Sequence, residues 1–311
     1  MLPTRENSLR KRAVKAAVVA IAAIYLLRLV AADDARADGK SPNSLSSGHA
    51  NPRSVSSSNA SPTNETATAA LCPVVYPDDQ TPQARGYHYT FFGNAFFIND
   101  EGYLLTVAHV VATFGNGGQA YVLVNRPDAP PRMLKITVVA TNKEHDVAIL
   151  HATPNPFEGG YKVAYLPLAS EAAAKGQSVL ALSLHPQRLQ DAHSFESQRE
   201  DTSPGTVLSY ESTKLEKLGP PSDVFLLSHP VVKGQSGSPV LATESHAVVG
   251  LVEGLWLRGT PLALAKSATL PTTAPGAAIP IRYALALLRE NGVTWHSAPP
   301  EPEAKARPTT R

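Results

Sequence analysis

From residue 87 onward the apolar residues of this chain come in short runs separated by turn residues, and that rhythm limits the fold more than any other feature. The runs fall at 87–98, 103–107, 120–125, 133–140 and 146–151, then at 176–183, 205–210, 223–228, 238–242, 247–257 and 261–265. Runs of this length, alternating or briefly continuous, read as strands half or fully buried in a sheet. The breaks carry turn chemistry, as in Asn99-Asp100-Glu101-Gly102 and Gly115-Asn116-Gly117-Gly118. Five or six strands per half predict an all-β domain of two antiparallel Greek-key β-barrels, with the crossing between them at about 165–175. One short C-terminal helix is expected over 281–292, where Tyr283, Leu287 and Leu288 share a face, Pro280 precedes the start and Gly292 supplies the stop.

Both ends of the 311-residue chain are poor in core-forming side chains. Arg5, Arg10, Lys11 and Arg12 precede an uncharged apolar run, Ala16 to Leu27, that is too short to span a bilayer unaided. Two small-residue cleavage patterns follow, Val30-Ala31-Ala32 and Ala35-Arg36-Ala37, so residues 1–37 read as a signal peptide. The alternative is an uncleaved signal anchor, a membrane tether through residues 13–31 with Lys15 and Arg28 snorkelling at its ends. Either reading implies export, to a bacterial periplasm or the extracellular space, free or anchored to the inner membrane. Residues 38–71 are Ser, Asn, Pro, Thr and Ala with few large apolar groups and are expected to be a disordered linker. That leaves a domain over 72–296, with barrel 1 at about 72–165 and barrel 2 at about 166–296, and a disordered tail over 297–311.

A net charge of +2, with basic residues scattered beyond the N-terminal cluster, gives no footprint for a nucleic-acid partner. Cys72 is the only cysteine, so an exported domain must hold by its core without an internal disulfide. No His/Cys/Asp/Glu spacing suggests a metal, no cofactor is expected, and nothing fixes an oligomeric state.

The chemistry concentrates in Lys233-Gly234-Gln235-Ser236-Gly237-Ser238-Pro239-Val240. A serine hydroxyl is a weak nucleophile, so it needs a base within hydrogen-bond reach and a third group to orient that base. Upstream, Thr106-Val107-Ala108-His109-Val110-Val111 places a histidine just past an apolar run, and Glu144-His145-Asp146-Val147-Ala148-Ile149-Leu150 places an aspartate at the start of another. His145 is a rival base, disfavoured because neighbouring residues of a strand face opposite ways.

In the order His, Asp, Ser, these motifs resemble those of the trypsin-like (chymotrypsin-fold) serine proteases over roughly residues 85 to 291. Gly93 to Val111 is similar to HtrA/Deg proteases, as are Gly176 to Ser183 and Ala278-Ile279-Pro280-Ile281, whereas Gly234 to Val240 is closer to the V8-like spelling. The nineteen or so residues after the helix are too few for the PDZ domain that HtrA proteins carry. The resemblance implies a serine endopeptidase acting on peptides or unfolded proteins. His109 would be the base, Asp146 its orienter and Ser236 the nucleophile, with the amides of Gly234 and Ser236 as the oxyanion hole.

The resemblance also places the substrate pocket at Pro230, Val231, Val232, Val252 and Glu253, which implies a preference for small or aliphatic P1 residues. Val252 stands where V8-like enzymes carry a glutamate-reading histidine, and Glu253 faces either the pocket or the triad. Gln235 stands where trypsins carry the aspartate that pairs with a freed N-terminus, so activation by cleavage is not expected. The alternatives are a trypsin-fold protein that binds peptides with little or no catalysis, and an esterase using the same triad.

Overall fold

The computed structural model describes residues 62–77, 89–112, 119–126, 129–186, 198–215, 220–232, 234–257, 260–261 and 274–298. The signal or anchor reading of 1–37, most of the linker and the tail beyond 298 lie outside them. Among the described residues, no helix is long and apolar enough to cross a membrane.

The described chain opens with helix α1 (Pro62–Ala70) and continues through β1 (Leu71–Pro77), β2 (Tyr89–Phe97), β3 (Tyr103–Thr106), the helical turn α2 (Ala108–Val111), β4 (Ala120–Arg126), β5 (Ala129–Asn142) and β6 (Val147–Thr153). These six strands close an antiparallel barrel in the order β1-β2-β3-β6-β5-β4. The second half supplies β7 (Ser178–Pro186), β8 (Gln198–Thr213), β9 (Ser222–Leu227), β10 (Pro239–Ala242), β11 (Val248–Leu257), β12 (Thr260–Pro261), β13 (Gly276–Pro280) and α3 (Ile281–Glu290). Their sheet runs β10-β7-β8-β9-β13-β11-β12, and the further β10–β11 pairing closes it. Set aside the β12 appendage and this ring has the order of the first, with β7, β8, β9, β10, β11 and β13 in the places of β1 to β6. Two antiparallel barrels of one topology, with the short C-terminal helix, are the expected all-β fold.

Strand alternation assigns the side chains. On β7, Val179 and Ala181 turn into barrel 2 with Val207, Phe225, Leu227, Val240, Val249 and Val252, while Leu182 and Leu184 join the larger cluster of barrel 1. That larger cluster takes in Phe96, Phe97, Leu104, Leu105, Ile149 and Leu150, and also Ile281, Ala284, Leu285 and Leu288 of α3. The C-terminal helix is thus packed into the same apolar mass as barrel 1, and the two barrels share one continuous core at their junction.

Two departures from the sequence reading have physical causes. Nine of the last ten residues of the expected linker form α1, where Ala67 and Ala70, one turn apart, are 3% and 0% exposed. A count of large apolar side chains misses alanines that pack by close approach. β1 was hidden by Pro73 and Pro77, since proline argues against a strand; here Pro73 lies outside the β1–β4 pairing, which spans only Val74 and Val75. Cys72 on this strand is 1% exposed, and burial pushes its thiol well above the usual range, which removes it from nucleophilic chemistry.

Candidate active site

Antiparallel register brings the first two site residues together. Thr106 at the end of β3 pairs with Ala148 near the start of β6, so the residues just beyond, His109 and Asp146, meet at one end of barrel 1. The backbone N–H of Ala108 donates to the Asp146 carbonyl at 3.1 Å, and that of His109 to Asp146 Oδ1 at 2.8 Å. The second carboxylate oxygen, Oδ2, lies 2.6 Å from His109 Nδ1. Both oxygens are therefore engaged, the carboxylate is buried, and the ring is fixed with Nδ1 toward the acid. Asp146 has φ 52°, a left-handed conformation uncommon for any residue but glycine and more tolerable for aspartate, and such outliers gather at functional sites.

His109 carries a raised pKa. Burial pulls the imidazolium down, but the charge of Asp146, the hydrogen bond to it and the charge of Glu253 together outweigh that effect.

The same register argument operates in barrel 2. Pro239 of β10 pairs with Leu251 of β11, so the residues before β10 run alongside the continuation of β11. Gly237 N–H donates to the Val252 carbonyl at 2.9 Å, Val252 N–H to the Ser238 carbonyl at 2.8 Å, and Ser236 Oγ to the Glu253 carbonyl at 3.1 Å. Gly234 and Gly237 take φ 99° and 82°. At Gly237 a Cβ would lie 2.1 Å from the Asn94 carbonyl oxygen and 2.4 Å from Thr106 Oγ1, so glycine is required there by space as well as by conformation.

Asn94 was not singled out from sequence, and it ties the serine turn to barrel 1. Its N–H donates to the Ser236 carbonyl at 2.8 Å and its Nδ2 to the Gly234 carbonyl at 2.9 Å, while its Oδ1 accepts from Leu184 N–H at 3.0 Å. A fully buried asparagine with every arm used between two barrels is an organising residue. The only signal in the sequence was a polar residue in the middle of an apolar run.

The remaining candidates separate. Gln235 is 5% exposed; its Oε1 accepts from Val232 N–H at 2.9 Å and its Nε2 donates to Ser183 Oγ at 2.8 Å, so its side chain is satisfied within barrel 2. Val231 and Val252 belong to the barrel 2 core, Val232 is 51% exposed, and Pro230 is exposed. Glu253, open between pocket and triad in the sequence, stands beside His109 and Asp146. Its carboxylate, His109 and Asp146 offer donor atoms within 4.8 Å of one another. This is the one such grouping among the described residues, and its 2.6 Å His–Asp bond is the geometry of a hydrogen bond, not of two ligands around a cation.

His145 lies in the 143–146 turn rather than on a strand. Its ring stacks on Tyr283 with centroids 3.9 Å apart, and its Nδ1 is 2.5 Å from Ser222 Oγ, which donates onward to the Glu144 carbonyl at 2.8 Å. These partners differ from that of the Asp146 carboxylate, which is engaged by His109.

Residues 93–251 match the trypsin-like peptidase domain family. The chain belongs to that family. No curated protein matches it in sequence. Among solved structures, the peptidase is similar to the Rv3671c protease of M. tuberculosis in its active form, at 19% identity and TM-score 0.51 over 76% of this chain and 86% of that one. It is similar to the HtrA-type protease AlgW with tripeptide, at 18% and 0.50 over 73% of this chain, spanning 62% of AlgW. It is also similar to the MamO protease domain of Magnetospirillum magneticum, at 16% and 0.50 over 72% and 97%. At these identities the likeness is one of fold, in agreement with the trypsin-like peptidase family match.

Proposed function

We propose that this peptidase cleaves peptide bonds through His109, Asp146 and Ser236, and that it is exported and prefers small or aliphatic P1 residues. The observation that carries the mechanism is the His109 Nδ1–Asp146 Oδ2 contact of 2.6 Å. With Nδ1 held by the acid, Nε2 is the nitrogen left to take a proton. Ser236 Oγ attacks the scissile carbonyl while its proton passes to His109 Nε2; Asp146 stabilises the imidazolium that forms. The amides of Gly234 and Ser236, on a turn bent by two positive-φ glycines, receive the oxyanion. The C–N bond then breaks as His109 returns the proton to the leaving amine, and water repeats the sequence on the acyl-enzyme.

The P1 preference is supported by the absence of charge among Pro230, Val231, Val232 and Val252 and by the placement of Glu253 with the triad. A charged P1 side chain would find no charged partner among these four residues. Export is supported by the basic cluster, apolar run and small-residue patterns of residues 1–37. The anchoring of Gln235 within barrel 2 supports activity without zymogen cleavage, since the place of an N-terminal ion pair is taken by Ser183 and Val232. The bound tripeptide of AlgW supports peptides as the substrate class.

A fluorophosphonate probe is expected to label the full chain, and labelling is expected to disappear in Ser236→Ala; a peptide library is expected to be cut after Val, Ala, Leu or Ile. Labelling that survives Ser236→Ala would remove the nucleophile, and dominant cleavage after Arg or Lys would remove the specificity.

A further inference from the structure

Strand β11 carries one residue more than its partner. Val252 pairs with Ala278 and Gly254 with Ala277, so Glu253 stands between them unpaired, at a β-bulge. A bulge re-aims the side chain of the extra residue. Here it points inward: Glu253 is 3% exposed, and its Oε2 has no hydrogen-bond partner. The carboxyl lies with His109 and Asp146, donor atoms within 4.8 Å of one another, while the backbone carbonyl of the same residue accepts the Ser236 hydroxyl. One irregular residue thus touches the nucleophile through its main chain and stands beside the base and its orienter through its side chain.

We propose that Glu253 is a positioning residue of this triad, whose carboxyl stabilises the His109 imidazolium by charge and exchanges protons with it, so that the two groups together set the acidic limit of activity. The proposal rests on the reading of His109 as general base.

The electrostatics agree with the geometry. Burial pushes the Glu253 carboxyl up to about 7, with the Asp146 charge adding to this and His109 opposing it. His109, for its part, is held up by Asp146 and then by Glu253. No other charge on the neighbouring strands intervenes, since β10 and β13 contain no titratable side chain and Glu253 is the only one on β11. Two groups that interact and titrate in the same range do so as a pair. When the pair holds one proton, that proton is either on His109, where it blocks the base, or on Glu253, where it leaves the base free. An ionised Glu253 favours the blocked form, so removing its charge lowers the His109 pKa and frees the base at lower pH. In the transition state the effect reverses in value: His109 then carries the Ser236 proton, and the Glu253 anion stabilises it.

The test is Glu253→Gln in the full chain, with kcat and kcat/KM followed against pH, and the His109 ring titrated by NMR in a Ser236→Ala background with and without Glu253→Gln. The expected result is a shift of both the acidic limb and the His109 titration to lower pH by about 0.5–1 pH unit. On the alkaline plateau kcat is expected to fall about three- to tenfold with KM unchanged, and Glu253→Asp to recover part of the loss. An unmoved limb together with an unmoved His109 titration overturns the proposal, as does a change confined to KM or to Tm. A wild-type chain that the fluorophosphonate does not label at Ser236 removes the peptidase reading itself; labelling with an unmoved limb removes only the role of Glu253.

Discussion

The connection from β3 to β4 and the connection from β9 to β10 occupy the same place in barrels of the same topology, and each carries one of the two groups between which the proposed mechanism moves a proton. They are held by different forces. The first seats His109 on a helical turn whose Val110 and Val111 are buried, and ties it through main-chain N–H groups to Asp146 in the turn before β6. Its hydrogen bonds are made within barrel 1, with Glu253 of barrel 2 adding charge beside the ring. The second has no apolar anchor of that kind at Ser236; it is a glycine turn whose carbonyls at 234 and 236 are held by Asn94 of the other barrel. Apolar packing tolerates small adjustments, whereas a turn set by two positive-φ glycines and a few hydrogen bonds does not. The proposed base is therefore placed by apolar packing and bonds to its own barrel, and the proposed nucleophile by the fit between barrels.

The strongest way to break that arrangement is Gly237→Ala, which sets a Cβ 2.1 Å from the Asn94 carbonyl and adds a methyl at φ 82°. It is expected to cost about 3 kcal/mol or more of stability and about 10²-fold or more in kcat, because both the turn and its contact with barrel 1 must shift. Gly176→Ala sharpens the comparison: its φ is 83° but no atom lies within 4 Å of the added Cβ. It should cost only about 1–2 kcal/mol and leave kcat unchanged. Thermal melts and single-turnover kinetics on both variants separate conformational strain from loss of the inter-barrel fit.

Asn94→Asp comes next. It keeps the acceptor for Leu184 N–H but replaces the donor to the Gly234 carbonyl with a second oxygen, leaving that carbonyl opposite a like dipole. An expected loss of about 2 kcal/mol and about tenfold in the rate of fluorophosphonate labelling follows. Equal losses in labelling and in stability-independent substrate binding would place Asn94 in the pocket rather than under the turn.

How far the sequence disclosed this molecule depended on which physical signal each part leaves. The strands of large apolar residues were legible because alternation and turn chemistry are local properties, and Ser236, His109 and Asp146 stood out through the motifs around them. What stayed hidden carries its information in partners distant in sequence. Asn94 matters through Gly234 and Leu184, 140 and 90 residues away. The bulge at Glu253 exists only in the register of β11 against β13. β13 itself, Gly276–Pro280, has a single large apolar side chain, Ile279, and no alternation to read. The α1 helix was missed for the same reason of size, and its Ala69 carbonyl accepts from Ala164 N–H at 3.3 Å at the far end of barrel 1. A truncation meant to retain the whole barrel should therefore begin before Pro62.

The smallest expected effect belongs to the other serine–histidine contact, His145 with Ser222. The Ser222 hydroxyl gives its proton to the Glu144 carbonyl, so it receives from His145 Nδ1–H, and a serine that is fully buried and spending its proton on a main-chain oxygen cannot attack a substrate. With Tyr283 stacked on the ring, and Asp223 bound by Arg282 and by its own N–H to the Tyr283 hydroxyl, the contact is a latch joining the 143–146 turn to β9 and α3. His145→Phe keeps the stack and removes one hydrogen bond, so stability should fall by about 1 kcal/mol and kcat stay within about threefold of wild type. Burial holds the His145 pKa below its usual value, so its contribution is complete above about pH 6.5 and is lost as pH falls below that toward the folded value. Melting temperature against pH should accordingly show wild type losing, as pH falls below about 6.5, an increment of stability that His145→Phe lacks. Were this pair a second relay, His145→Phe would instead abolish turnover, as His109→Ala is expected to do, and the division of labour between the two connections would fail.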